Sequence, residues 1–116
     1  IWKQKGLTAI KLKSGERTAA RPFVYYEKNK FKMYYCYEKI VGDYRIGYAE
    51  SRNGYKWKRM DHLSGIKKSQ IKGDWDNEMI AYPHLIIHKG KKYMLYNGNT
   101  YGKDGFGLAV GYEKKN

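Results

Sequence analysis

The chain has 116 residues and a formal charge of +13, from 24 lysines and arginines against 11 acids. A single cysteine, Cys36, excludes an intrachain disulfide, and no apolar run approaches the roughly 20 residues of a membrane-crossing helix. Aromatic residues make up 16% of the chain and 13 of them are tyrosine, which suits pleated, half-buried surfaces where the ring packs and the hydroxyl reaches water or a partner.

In chain order, Ile1 to Lys5 reads as a short strand carrying Trp2. A first residue other than Met points to a processed product or a piece of a longer chain. Arg21-Pro22 then opens a strand over Phe23-Val24-Tyr25-Tyr26. A lysine-rich turn at Glu27–Lys30 leads to a second strand, Phe31 to Tyr37, where residues 31, 33, 35 and 37 share one face. Cys36 sits inside this strand and reads as a small buried thiol. A third strand ends in Ile46-Gly47-Tyr48-Ala49. Asn53-Gly54 marks a tight turn before a fourth strand, Tyr55 to Met60, with Trp57 as a packing residue. Ser64 to Gly73 is a polar loop, and Asp74-Trp75-Asp76-Asn77-Glu78 follows it.

The pattern then repeats. Tyr82-Pro83 opens His84-Leu85-Ile86-Ile87, a turn follows at Lys89-Gly90, and Lys92 to Asn97 matches the second strand. Phe106-Gly107-Leu108-Ala109 matches the third. Pro22 and Pro83 stand 61 residues apart, as do Met33 and Met94, while Gly47 and Gly107 stand 60 apart. No fourth strand follows the second copy, so residues 1–5 are expected to complete it. The fold class is therefore all-β: two four-stranded antiparallel units that read as β-propeller blades, a partial propeller. The chain forms one unit over residues 1–116, with blade one at about 20–60 and blade two at about 79–112. Two blades cannot close a ring, so self-association through exposed blade faces, as a homo-oligomer, is expected.

The residues Arg21-Pro22, Met33-Tyr34-Tyr35, Ile46-Gly47-Tyr48-Ala49-Glu50-Ser51, Gly54 and Trp57 form a pattern that resembles a blade of the five-bladed β-propeller glycosidases. That superfamily holds arabinanase- and xylosidase-like enzymes, invertase-like enzymes and relatives acting on β-mannosides. Tyr82-Pro83, Met94 to Asn99 and Gly107-Leu108-Ala109 resemble a second blade. The resemblance implies a glycoside hydrolase in which sugar sits at the mouth of an axial funnel. A general acid there protonates the leaving oxygen, and a second carboxylate acts as nucleophile or activates water. The family commonly places acids just before the blade proline. Ala20-Arg21 and Ala81-Tyr82 occupy those places here, a departure from the pattern.

The acids that remain near the start of an inner strand are Glu78, the first candidate, and Asp76, the second. The alternative for both is a solvated turn whose acids bind backbone amides or lysines. Trp75 between them could stack on a sugar. Arg21 could fork onto hydroxyls or a carboxylate, or pair with an acid of the 74–78 loop. Tyr82, His84, Asn97, Asn99 and Tyr101 complete the expected substrate-binding set, with turn chemistry the alternative for Asn97-Gly98-Asn99. His84 and His88 lie roughly 13 Å apart along a strand, so no metal site is read, and no cofactor motif is present.

The expected partner is an oligosaccharide or polysaccharide, acidic ones included because of the basic charge. The alternatives are a non-catalytic carbohydrate-binding module, or a basic β module binding nucleic acid or an acidic polymer. Nucleic acid is the weaker of these, because the tyrosines follow the strand repeat as core residues do. No membrane partner is expected. The absence of disulfides fits a reducing compartment such as the cytoplasm without demanding one.

Overall fold

The computed structural model describes residues 1–112. Its strands form two antiparallel sheets. The first contains β1 (Thr18–Glu27), β2 (Lys30–Glu38), β3 (Tyr44–Ser51) and β4 (Lys58–Arg59), hydrogen-bonded in that order. The second contains β5 (Ala81–His88), β6 (Lys91–Asn97) and β7 (Phe106–Gly111).

The repeat seen in the sequence is a repeat of register. Met33 lies opposite Ala49 and Tyr35 opposite Gly47 in sheet one, as Met94 lies opposite Ala109 and Tyr96 opposite Gly107 in sheet two. Both hairpins turn on two left-handed residues, Lys28-Asn29 and Lys89-Gly90. That backbone matches the twist of the flanking strands. Both inner strands also break register at the same place, between Ala20 and Phe23 and between Ala81 and His84. Proline has no N–H to give the ladder, so the strand bulges around it. The residue before each proline, Arg21 or Tyr82, is left with φ at +55°.

The sheets pack face to face. Phe23, Tyr25, Tyr34 and Ile46 of sheet one meet Leu85, Met94, Tyr96 and Ala109 of sheet two. The opposite face of sheet one, with Met33, Tyr35, Tyr37 and Ala49, is covered by Ile10 and Trp57. Among the described residues the opposite face of sheet two is uncovered: Ile86, Phe106, Leu108 and Val110 are exposed there. Cys36 is fully buried and its thiol donates to the Ala20 carbonyl at 3.4 Å. Burial pushes that thiol up from its ordinary pKa.

Two expectations are corrected. Residues 1–5 form no strand, and Trp2 is exposed, so sheet two has three strands. The cause lies in the next residues. Ile10 packs on the face of sheet one turned away from sheet two, and the Lys11 carbonyl accepts from Arg59. This holds the N-terminal segment away from the β7 edge. The fourth strand of sheet one is also shorter than Tyr55 to Met60. Asn53 Oδ1 accepts the N–H groups of Tyr55 and Lys56, and the Trp57 indole donates to the Gly54 carbonyl. This keeps the segment in a turn until Lys58.

Candidate functional site

The twin bulges lie at the same end of neighbouring inner strands, and they aim their left-handed residues at each other. The Arg21 guanidinium lies 5.1 Å from the centre of the Tyr82 ring, a cation–π distance. One step along, Phe23 and His84 meet edge to face at 4.7 Å. Left-handed backbone at a non-glycine residue costs about 1–3 kcal/mol and persists only where the surroundings enforce it. Here the chain holds two such residues side by side.

Further aromatics extend the cluster. Tyr101 stacks on Tyr82 at 6.3 Å and meets Tyr44 edge-on at 5.8 Å. Tyr101 belongs to the Asn99–Gly102 turn, in which Thr100 and Tyr101 are both left-handed. The Tyr44 hydroxyl and Thr18 Oγ1 are 2.8 Å apart. Beneath the rings lies Glu38, a buried carboxylate. It accepts the Gly42 N–H at 3.0 Å and has Arg17 Nε at 3.7 Å. Burial, with the charge of Glu38 next, raises the pKa of the Tyr101 phenol. Neither Tyr44 nor Glu38 stood out in the sequence, where each looks like an ordinary strand-end residue.

Beside this cluster opens a cavity of about 600 Å³, lined by Gly42, Asp43, Lys68, Asn77, Glu78 and Tyr101 among others. Asp43 is engaged there by Lys68 at 2.7 Å and Arg45 at 3.3 Å. The Glu78 carboxylate is exposed, and among the described residues no hydrogen bond or ion pair holds it. Its backbone N–H donates to Asn99 Oδ1 at 2.8 Å, so the residue is fixed at its root and free at its tip.

The other expected site residues are placed differently. Asp76 accepts from the Tyr96 hydroxyl at 2.9 Å. Burial, then this carboxylate, pushes the Tyr96 phenol up to about 12. Trp75 stacks on Tyr96 at 5.3 Å and packs on the inter-sheet core. Asn99 clamps the loop before β5. Its Nδ2 donates to the Asp74 carbonyl at 3.0 Å and to Asn77 Oδ1 at 2.8 Å, and its Oδ1 also accepts from Met79. Asn97 donates to the Tyr101 carbonyl at 3.0 Å. Arg21 faces Tyr82 rather than an acid of the 74–78 loop. The structure therefore gathers Arg21, Tyr82, Tyr101 and Glu78 at one end of the sheets, with His84 next along β5. Asp76, Trp75 and Asn99 serve the loop and core beneath.

No family profile matches the chain. Two curated relatives, the uncharacterized proteins Rv1502 and MT1551 from two strains of Mycobacterium tuberculosis, are each 36% identical over 110 residues. Those residues cover 94% of this chain and 36% of each relative, so the chain spans about a third of their length. Among solved structures, a complex of BT0996 with RGII superposes with a TM-score of 0.67 at 23% identity, over 91% of this chain and 36% of that protein. A glycoside hydrolase superposes at 0.64 with 22% identity, over 93% and 36%. At that identity the likeness is one of fold.

Proposed function

We propose that the chain forms two neighbouring blades of a carbohydrate-active β-propeller of glycoside hydrolase type, and that it binds sugar where the two bulges meet. The observation that carries this is the pair of strained, equivalent residues, Arg21 and Tyr82, turned toward each other beside an unengaged carboxylate. Tyr82 and Tyr101 offer apolar ring faces to the C–H face of a sugar, and Arg21 offers donors to its hydroxyls. Glu78 is the proton donor to the leaving oxygen. Glycosidic hydrolysis needs a second carboxylate. With Asp76 committed to Tyr96, that group comes from a further blade packed on the uncovered face of sheet two. Two sheets in about a third of the relatives' length accord with a ring of five or so. The RGII complex among the structural neighbours also favours a carbohydrate partner.

Titration calorimetry and hydrolysis assays with a panel of oligosaccharides and aryl glycosides test this. Arg21→Ala and Tyr82→Ala are expected to weaken sugar binding about tenfold each, roughly 1.4 kcal/mol. Glu78→Gln is expected to keep binding and abolish any turnover. Sugar binding that survives both of the first substitutions would refute the site. Turnover unchanged in Glu78→Gln would remove that residue from the chemistry.

A non-catalytic binding module is the second reading. Alanines at positions 20 and 81 favour it, because they leave the two bulges without acids. Measurable affinity with no hydrolysis of any ligand would establish it.

A further inference from the structure

At the other end of sheet one, the β1–β2 hairpin and the loop joining β3 to β4 enclose a concave cavity of about 800 Å³. Lys30, Arg52, Lys56, Lys58 and Trp57 all line it, and Glu50 is the one acidic side chain among the described lining residues. Glu50 is already engaged, by Lys30 at 2.9 Å and by the Tyr48 hydroxyl at 2.6 Å. Arg52, Lys56 and Lys58 have no such partner: among the described residues none is in an ion pair. The neighbouring cation, Arg59, is treated differently, gripped by Glu16 at 2.6 Å and by Asp61 at 2.8 Å. Arg59, in the packed part of the fold, is neutralised, whereas these three around the cavity are left unneutralised.

The wall that carries them is fixed before any ligand arrives. Ser51 Oγ accepts the Gly54 N–H at 2.9 Å, Asn53 Oδ1 accepts the Tyr55 and Lys56 N–H groups, and the Trp57 indole is tethered to the Gly54 carbonyl. A fixed, concave wall loses little conformational freedom on binding. Its unpaired charges act together on an anion within a Debye length of about 8–10 Å.

We infer that this cavity is a binding site for a carboxylate-bearing polysaccharide segment. Such a ligand presents regularly spaced single charges, which suit lysine ammonium groups acting as point charges, and a ring face for the edge of Trp57. Single-stranded nucleic acid would call for successive open aromatic faces, and the cavity is lined by one tryptophan. The volume matches clefts for ligands of a few rings, about 300–1,000 Å³. In the β1–β2 register Ala20 faces Cys36 and Phe23 faces Tyr34, so Arg21 lies some four to six residues along β2 from Lys30. At about 3.3 Å each, the cavity and the Arg21–Tyr82 cluster are on the order of 15 Å apart. The site stands independently of the sugar site proposed there.

Binding of the whole chain to polygalacturonate, to a neutral galactan and to a single-stranded oligodeoxynucleotide, at low and at about 300 mM salt, tests the site. Polygalacturonate is expected to bind, the galactan not to bind at this site, and the affinity to fall at least tenfold at the higher salt. Arg52→Glu with Lys56→Glu should weaken polygalacturonate binding at least tenfold. The same charge change placed elsewhere, Lys72→Glu with Lys103→Glu, should leave it within about twofold. Equal losses in both double variants would overturn the site in favour of overall charge. Tighter binding of the oligodeoxynucleotide, lost in the first double variant, would reassign the cavity to nucleic acid. Undiminished binding in that variant, or no binding of polygalacturonate, would also overturn it.

Discussion

Gly47 and Gly107 occupy matching places in β3 and β7, and both lie under an aromatic ring. A Cβ at Gly107 would overlap the Trp75 ring, and one at Gly47 would overlap Tyr35 and Asp61. The Gly-x-Ala repeat is therefore a packing requirement, although its sequence showed only a strand end. Gly107→Ala is expected to destabilise the fold by about 1–3 kcal/mol, as overpacking does, read as a lower midpoint in urea denaturation. Each of these glycines faces a tyrosine across the ladder, and each tyrosine hydroxyl has found a carboxylate. Tyr35 donates to Asp61, and Tyr96 donates to Asp76. Asp76 was legible as an acid near the start of an inner strand, but its partner was not. The hydroxyl that claims it lies 20 residues downstream, and only the folded sheet brings the two together.

At the level of elements, the strands announced themselves through period-two alternation and the duplicated proline, methionine and glycine positions. The elements that went astray were those whose course depends on side chains reaching back to the backbone. Asn53 and Trp57 hold the loop that shortens β4, and Ile10 anchors the N-terminal segment against sheet one. Neither effect leaves a periodic trace. The loop before β5 belongs to the same class. Asn99 satisfies Glu78 and Met79 N–H groups, the Asp74 carbonyl and the Asn77 side chain. Asn97-Gly98-Asn99 was thus readable as turn chemistry, without any sign that the turn would grip a second loop. Replacing Asn99 by Ala removes all of these contacts and should cost about 2–4 kcal/mol, at roughly 1 kcal/mol per hydrogen bond. Chemical denaturation measures that loss. Sugar affinity should fall with it, because the Glu78 backbone is held through this residue.

Across the whole molecule, an ionic contact ties the two sheets. Glu27 of β1 accepts from Lys32 of β2 at 2.8 Å and from Lys92 of β6 at 2.7 Å. The Lys32 hydrogen bond, then that of Lys92, holds the Glu27 carboxyl at about 2, below its ordinary 4.5. A carboxyl lowered by folding stabilises the native state above its unfolded pKa, and that contribution fades as pH falls through the folded value. The protein should therefore lose stability as pH drops from about 4.5 toward 2. Glu27→Gln should cost about 1 kcal/mol near neutral pH, as a partly exposed pair does, and make the acid-side decline shallower. Thermal melts at a series of pH values read both effects.

The lone thiol at Cys36 also has a practical consequence. It is sealed between the sheets with no route for a reagent to reach it, so an alkylating agent must wait for β1 and β2 to part. The speed at which iodoacetamide is taken up under native conditions thus becomes a clock for the breathing of sheet one. Because Ala20 and Tyr82 pack beside the thiol, comparing that clock with and without sugar would show whether occupying the neighbouring bulges quiets the sheet.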